Sequence, residues 1–278
     1  MHRLILALSG VIAVLAAGAA TAGLWSEELY RNDSVLVAAG LRAQDLVTLF
    51  IAVPLLVVVT AAWHSGSARA GLAVVGTLGY FLYVYASMAL GAAYNSLFLL
   101  YLTILSISFF SVVCTLGSFE LRFTSPPPRR AAAMFMFISG GMTLIVWLVP
   151  LITAAVHARP PGLLDGYTTL VTCALDLAII APSAWVAGTL ILKGRALGYV
   201  IAASLSGVIV MLGPVIALGT YYQMAAGVEF STGEIVGPIA GFLALGFAGL
   251  AVMVAILRAA GGRPIATHRG GPSWLPVQ

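Results

Sequence analysis

The chain has 278 residues, of which 61% are hydrophobic and 8% charged, with a mean hydropathy of +1.07 and a net charge of +4. That balance excludes an ordinary soluble globular domain and points to a polytopic membrane protein. The small positive charge follows from basic loops and gives no reason to invoke nucleic acid as a partner.

Crossing a hydrocarbon core of about 30 Å takes about 20 helical residues. Eight apolar segments meet that requirement: Leu4 to Ala22, Leu46 to Trp63, Gly71 to Gly91, Ser96 to Gly117, Ala131 to Val156, Tyr167 to Leu192, Ala196 to Tyr221 and Ile235 to Leu257. The expected fold is all-α, a transmembrane helical bundle of about eight spans in the lipid bilayer, forming one domain over residues 1–258.

Arg3, the apolar run Leu4 to Ala17 and the small residues Ala19-Ala20-Thr21-Ala22 fit either a cleavable signal peptide or a first membrane helix. Both readings leave Gly23 outside. An outer loop over 24–44 follows, in which Trp25 and Tyr30 mix with Glu27, Glu28, Arg31 and Asp33. It reads as a solvated connector with an interfacial Trp, or as a short helix lying along the interface. Asp45, after Gln44, stands at the outer end of the second segment, where a carboxylate favours the dipole of a helix start. Its depth also allows it to border an outer polar cavity.

In the third segment Gly76, Tyr80, Tyr83 and Ser87 share a helix face, and Tyr94, Asn95 and Tyr101 follow at the outer turn. Interfacial anchoring accounts for Tyr94 and Tyr101. Tyr80 and Tyr83 lie at mid-depth, where their hydroxyls need buried partners. Ser87 is one such partner, which would make the face structural; the other reading has Tyr80, Tyr83, Asn95 and Asp176 line an outward-facing polar pocket. On the inner side, Pro126-Pro127-Pro128 before Arg129 and Arg130 reads as a stiff turn with a basic anchor.

Asp176 lies within the sixth apolar segment. A carboxylate at the bilayer centre costs roughly 2.5 to 3.5 kcal/mol even on insertion scales, so it needs a partner, a proton or a wet cavity. At about 100° per residue, Thr169, Thr172, Asp176 and Ser183 fall on one side, with Cys173 at the flank. The functional reading is a proton-accepting or cation-binding carboxylate with hydroxyl neighbours such as Thr172. The structural reading is a neutral, hydrogen-bonded Asp that ties two helices together.

Pro54, Pro182 and Pro214 are expected to kink their helices. Gly233, Gly237 and Gly241, followed by Ala244 and Ala248, form a small-residue face expected to pack within the bundle. Residues 259–278 read as a disordered basic cytoplasmic tail. The only internal echo, Leu78-Gly79-Tyr80 against Leu197-Gly198-Tyr199, lies at different depths and establishes no repeat.

Of the 13 Lys and Arg, ten fall on one side (Arg3, Arg69, Arg122, Arg129, Arg130, Lys193, Arg195, Arg258, Arg263, Arg269) and three on the other (Arg31, Arg42, Arg159). The positive-inside bias puts both termini in the cytoplasm. Cys114 and Cys173 belong to opposite halves of the bilayer and read as small buried residues rather than a disulfide. The histidines sit at segment ends, and HExxH, paired CxxC, Walker and G-x-S-x-G patterns do not occur. No cofactor is therefore expected.

Gly40-Leu41-Arg42-Ala43-Gln44-Asp45, Gly79-Tyr80-Phe81-Leu82-Tyr83 and Tyr94-Asn95-Ser96-Leu97-Phe98-Leu99 resemble uncharacterised bacterial polytopic integral membrane proteins. The resemblance implies a bacterial plasma (inner) membrane location and carries no activity. Three function classes follow from the residues. A small-solute or proton-coupled transporter needs a hydrated path to Asp176. A sensor or accessory subunit needs a sealed core and a membrane-protein partner. An enzyme on a lipid-linked substrate needs outer-face carboxylates near a lateral opening.

Overall fold

The structure is a computed structural model that describes residues 2–118, 121–230 and 232–261. Among the described residues there are eight membrane-length helices: α1 (His2–Trp25), α2 (Val35–His64), α3 (Ala68–Gly91), α4 (Phe98–Ser118), α5 (Arg129–Val156), α6 (Val171–Leu192), α7 (Ala196–Ala225) and α8 (Thr232–Ala259). The protein is thus an all-helical multi-pass membrane protein, the form in which an apolar chain satisfies its own backbone in lipid. The expected tail beyond residue 261 lies outside the described residues. "Outer" below denotes the end of the bundle that carries the 26–34 connection.

Local chemistry sets the helix ends. Ser34 and Ser67 cap α2 and α3, their hydroxyls accepting from the backbone N–H of Val37 (3.3 Å) and Ala70 (3.2 Å). At the inner ends basic side chains cover free carbonyls: Arg69 Nε donates to Ala260 O at 3.0 Å, and Arg129 donates to Leu192 O. The inner arginines that set the charge bias therefore also finish helices.

α3 and α7 form the centre. In their most apolar stretches 83% of α3 and 50% of α7 is buried, and the remaining helices fall below both. The two cross at glycine: a Cβ on Gly207 would collide with Gly76 O, and one on Gly79 would collide with Ser204 Oγ. Small residues here let two backbones touch, as packing in lipid favours.

A shift of 128 residues maps the first half of the bundle onto the second. π-helical turns span Thr48–Ala52 in α2 and Asp176–Ile180 in α6. Each is followed by a twelve-residue α-helical stretch, Val53–His64 and Ala181–Leu192, with proline in its first turn at Pro54 and Pro182. Each wide turn makes room for a ring that would otherwise meet a carbonyl. Turns at Gly66 (φ +98°) and Gly194 (φ +72°) then lead into α3 and α7.

Packing obeys the same shift. α1 packs on α4 as α5 packs on α8, and α2 meets α7 as α6 meets α3. Gly79 faces Ser204 while Gly207 faces Gly76, and Gly91 abuts Val171 while Gly219 abuts Ala43. Four helices per half keep the halves parallel, so the pseudo-twofold axis runs along the bundle through the α3/α7 crossing. The Leu78-Gly79-Tyr80 and Leu197-Gly198-Tyr199 echo, a shift of 119, is not this correspondence. What recurs is a proline, turn glycines and small contact residues, with little identity between them.

Three further expectations change. α2 begins at Val35, well before Leu46, so the outer connection is shorter than 24–44. Arg42 and Gln44 looked like loop because they are polar, yet they ride on a helix with Asp45, and Gln44 and Asp45 are fully packed there. α6 begins at Val171, later than Tyr167. On α8, Gly233 and Gly237 fall outside the described side chains, and Gly241, Ala244 and Ala248 face away from the bundle. Gly246 and Gly249 make the close contacts instead, against Val210, Ile209 and Phe135.

The crossing is open to test by thermal unfolding in detergent. Gly207→Ala should destabilise by about 1 to 3 kcal/mol through overpacking. Gly10→Ala, whose Cβ meets nothing within 4 Å, should stay within about 0.5 kcal/mol of wild type.

Candidate functional site

The seam between α3 and α6 collects polar groups at successive depths. At its outer mouth is a pocket of about 420 Å³, lined by Asn32 and Ser34, by Leu90, Gly91, Ala92 and Ala93 at the end of α3, by Asp165 to Thr169 before α6 and by Val171 at its start. One helical turn deeper, Ser87 and Thr172 hydroxyls approach at 3.4 Å. A further turn down is Asp176, whose Oδ2 accepts the indole N–H of Trp147 at 2.7 Å. The Tyr83 hydroxyl approaches the same carboxylate from α3.

Asp176 opens the π turn, so the N–H of Ala181 returns to its carbonyl across the wider loop. Its side chain is half-buried. Two neutral donors stabilise it without neutralising it, and no Lys or Arg side chain pairs with it in the described structure. Chemically it is equipped to accept and release a proton, or to hold a small cation beside hydroxyl oxygens.

Strapping of the outer connection holds the mouth of the pocket. Asp33 Oδ1 accepts both the Ala93 N–H (2.7 Å) and the Tyr167 hydroxyl (2.7 Å), and the Ser34 N–H donates to Tyr167 Oη at 3.3 Å. Asp33 Oδ2 is buried without a partner. Burial, then the bond to Asp33, pushes the Tyr167 phenol up to about 12.

Asp45 belongs to a second centre on the other side of α3. It is 1% exposed, and the Tyr30 hydroxyl donates to its Oδ2 at 2.6 Å. A Cβ at Gly23 would strike that carboxylate, so glycine is what leaves room for it. The Tyr101 ring packs on Tyr85 at 6.0 Å, and its hydroxyl is buried between Tyr30 and Asn95. Burial, followed by the Asp45 charge, raises the pKa of Tyr30 strongly. The centre ties the 26–34 connection to the bundle.

The sequence-predicted residues therefore divide between two places. Asp176, Tyr83 and Thr172 come together along the α3/α6 seam. Tyr80 turns the other way, its hydroxyl 2.9 Å from Thr48 Oγ1 on α2, and Asn95 joins Asp45 and Tyr101. Asp45 is not at the first turn of its helix: Ser34 holds that place. Ser183 follows the π turn, which rotates it off the straight stripe drawn at 100° per residue. Cys173 is buried at 4% exposure, and no disulfide joins it to Cys114. Sequence reasoning missed Trp147, Asp33 and Tyr167. A mid-helix Trp whose indole N–H must find an acceptor was the available signal for Trp147.

Among the described residues no group of three or more His, Cys, Asp or Glu is arranged to hold a metal ion. Comparison of the chain with family models, with curated proteins and with solved structures gave no match.

Two measurements check the outer strapping. Tyr30→Phe leaves a buried carboxylate short of a donor, so it should lower stability by about 1 to 3 kcal/mol in thermal unfolding. For Tyr167 the raised pKa means that the fold favours the neutral phenol. Its contribution is complete below the ordinary value of 10.0 and is lost as pH rises through about 12. Proteolysis of the outer connection should therefore accelerate over that alkaline range in wild type, and Tyr167→Phe should show the fast rate already at neutral pH.

Proposed function

We propose that this multi-pass protein is a small-solute or proton-coupled transporter that takes protons or a small cationic solute from the outer pocket down to Asp176. The observation that carries this reading is the polar sequence along one seam: the pocket, then Ser87 with Thr172, then Tyr83, Trp147 and Asp176. A purely structural Asp176 would need its own partners but no pocket with a hydroxyl step above it.

Charge favours a cation over an anion. Asp165 lines the pocket, Asp33 straps it, and no basic side chain is among the lining residues. The outer end of α3 adds the negative pole of a helix dipole at Leu90 and Gly91. On this reading the working site sits in a bacterial plasma membrane with the pocket on its outer face, a location supported by the resemblance of the Gly40 to Asp45 and Gly79 to Tyr83 stretches to bacterial integral membrane proteins.

The test is proton uptake into proteoliposomes that enclose a pH-sensitive dye, driven by a potassium diffusion potential. Wild type should acidify the lumen faster than empty liposomes, and Asp176→Asn should lose at least tenfold of that rate while eluting as a folded protein. Trp147→Phe, which removes one donor and keeps the carboxylate, should fall in between. Equal rates for wild type and Asp176→Asn would contradict the proposal.

A further inference from the structure

The 128-residue correspondence supplies a second view of the seam that holds the pocket. Its counterpart is the seam between α2 and α7, and there the space is filled. α2 starts at Val35, eight residues before Ala43, whereas α6 starts at Val171, the position that corresponds to Ala43. The outer two turns of α2 lie along α7, with Gly40 and Ala43 against Gly219. Gln223 Nε2 of α7 donates to Leu36 O at 3.0 Å and fastens them.

In the second half the corresponding residues, 163–170, lie outside α6: 163 and 164 end a short 3-10 turn, Gly162–Leu164, and 165–170 are turn and loop. Asp165 (φ +43°) and Gly166 (φ +80°) take left-handed conformations that interrupt winding, and the first of these is strained for a residue with a side chain. The vacated volume is the pocket, which is lined by Asp165 to Thr169 and Val171.

We propose that residues 163–170 are a gate: they wind onto the start of α6 as two further helical turns, fill the pocket and close the outer path to Asp176. The first half of the chain shows the closed form of this seam, and the second half shows the open form. Residues 157–162 would then join α5 to the lengthened α6, six residues where the first half uses the nine of 26–34; extended, six residues reach roughly 20 Å. Winding relieves the left-handed Asp165 and draws Tyr167 away from Asp33 and Ser34. The bonds among those three residues are the latch that holds the open form. This inference rests on the reading of the pocket as the way to Asp176.

Hydrogen–deuterium exchange of the full chain in nanodiscs tests the gate directly. In wild type the amides of 165–170 should exchange fast. The double change Gly166→Ala and Tyr167→Phe favours helix and removes the latch, and should slow that exchange by on the order of tenfold. Asp165→Gly suits the left-handed turn and should keep exchange at least as fast as wild type. Slow exchange in the double variant, together with slower dye acidification, supports the gate. Unchanged or faster exchange in the double variant overturns it, because a loop that is merely disturbed stays unprotected. Backbone exchange does not depend on Asp176, so a negative result for Asp176→Asn and a negative result here are separate failures.

Discussion

Backbone contact between α3 and α7 is the constraint on which the rest of the bundle depends. Side chains at Gly76, Gly79 and Gly207 would force these helices apart, and the two halves would lose the line about which they repeat. Lipid offers no hydrophobic drive for helix pairing, so association relies on close packing and on polar groups that find each other. Once α3 is held at the centre, its two sides are fixed. One faces α2 and the other faces α6.

That geometry explains why two carboxylates in similar sequence surroundings have different roles. Asp45 is enclosed, bonded to Tyr30 and shielded by the outer connection. Asp176 is half-buried, held by neutral donors at a π turn, and lies beneath a pocket of about 420 Å³. The π turns themselves recur at Thr48 and Asp176, so the second half places a carboxylate where the first half has a hydroxyl bonded to Tyr80. A repeated scaffold has kept its frame while its polar residues and one pair of helix starts differ.

Much of this was legible in the residues. Hydropathy alone marked eight spans, because twenty apolar residues in a row have few other uses, and the cost of a buried charge singled out Asp176. Tyr80 and Tyr83 were harder. Three residues apart on a helix they diverge by about 60°, enough for one to meet Thr48 and the other Asp176. Arg42 and Gln44 hid the start of α2, since polar residues that pack inward look like loop until their partners are known. The repeat was hidden for a related reason: packing constrains size and turn geometry, which a prolyl ring or a glycine supplies without wider identity.

The most direct test of the account is the wetness of the step between pocket and carboxylate. With Cys114 and Cys173 replaced by serine, Thr172→Cys would be treated in right-side-out vesicles with a membrane-impermeant maleimide, alongside Thr169→Cys at the pocket. The account predicts labelling at both positions, slower at Thr172→Cys. Labelling of Thr169→Cys with complete protection of Thr172→Cys in folded protein would contradict it, leaving Asp176 as a sealed link between helices.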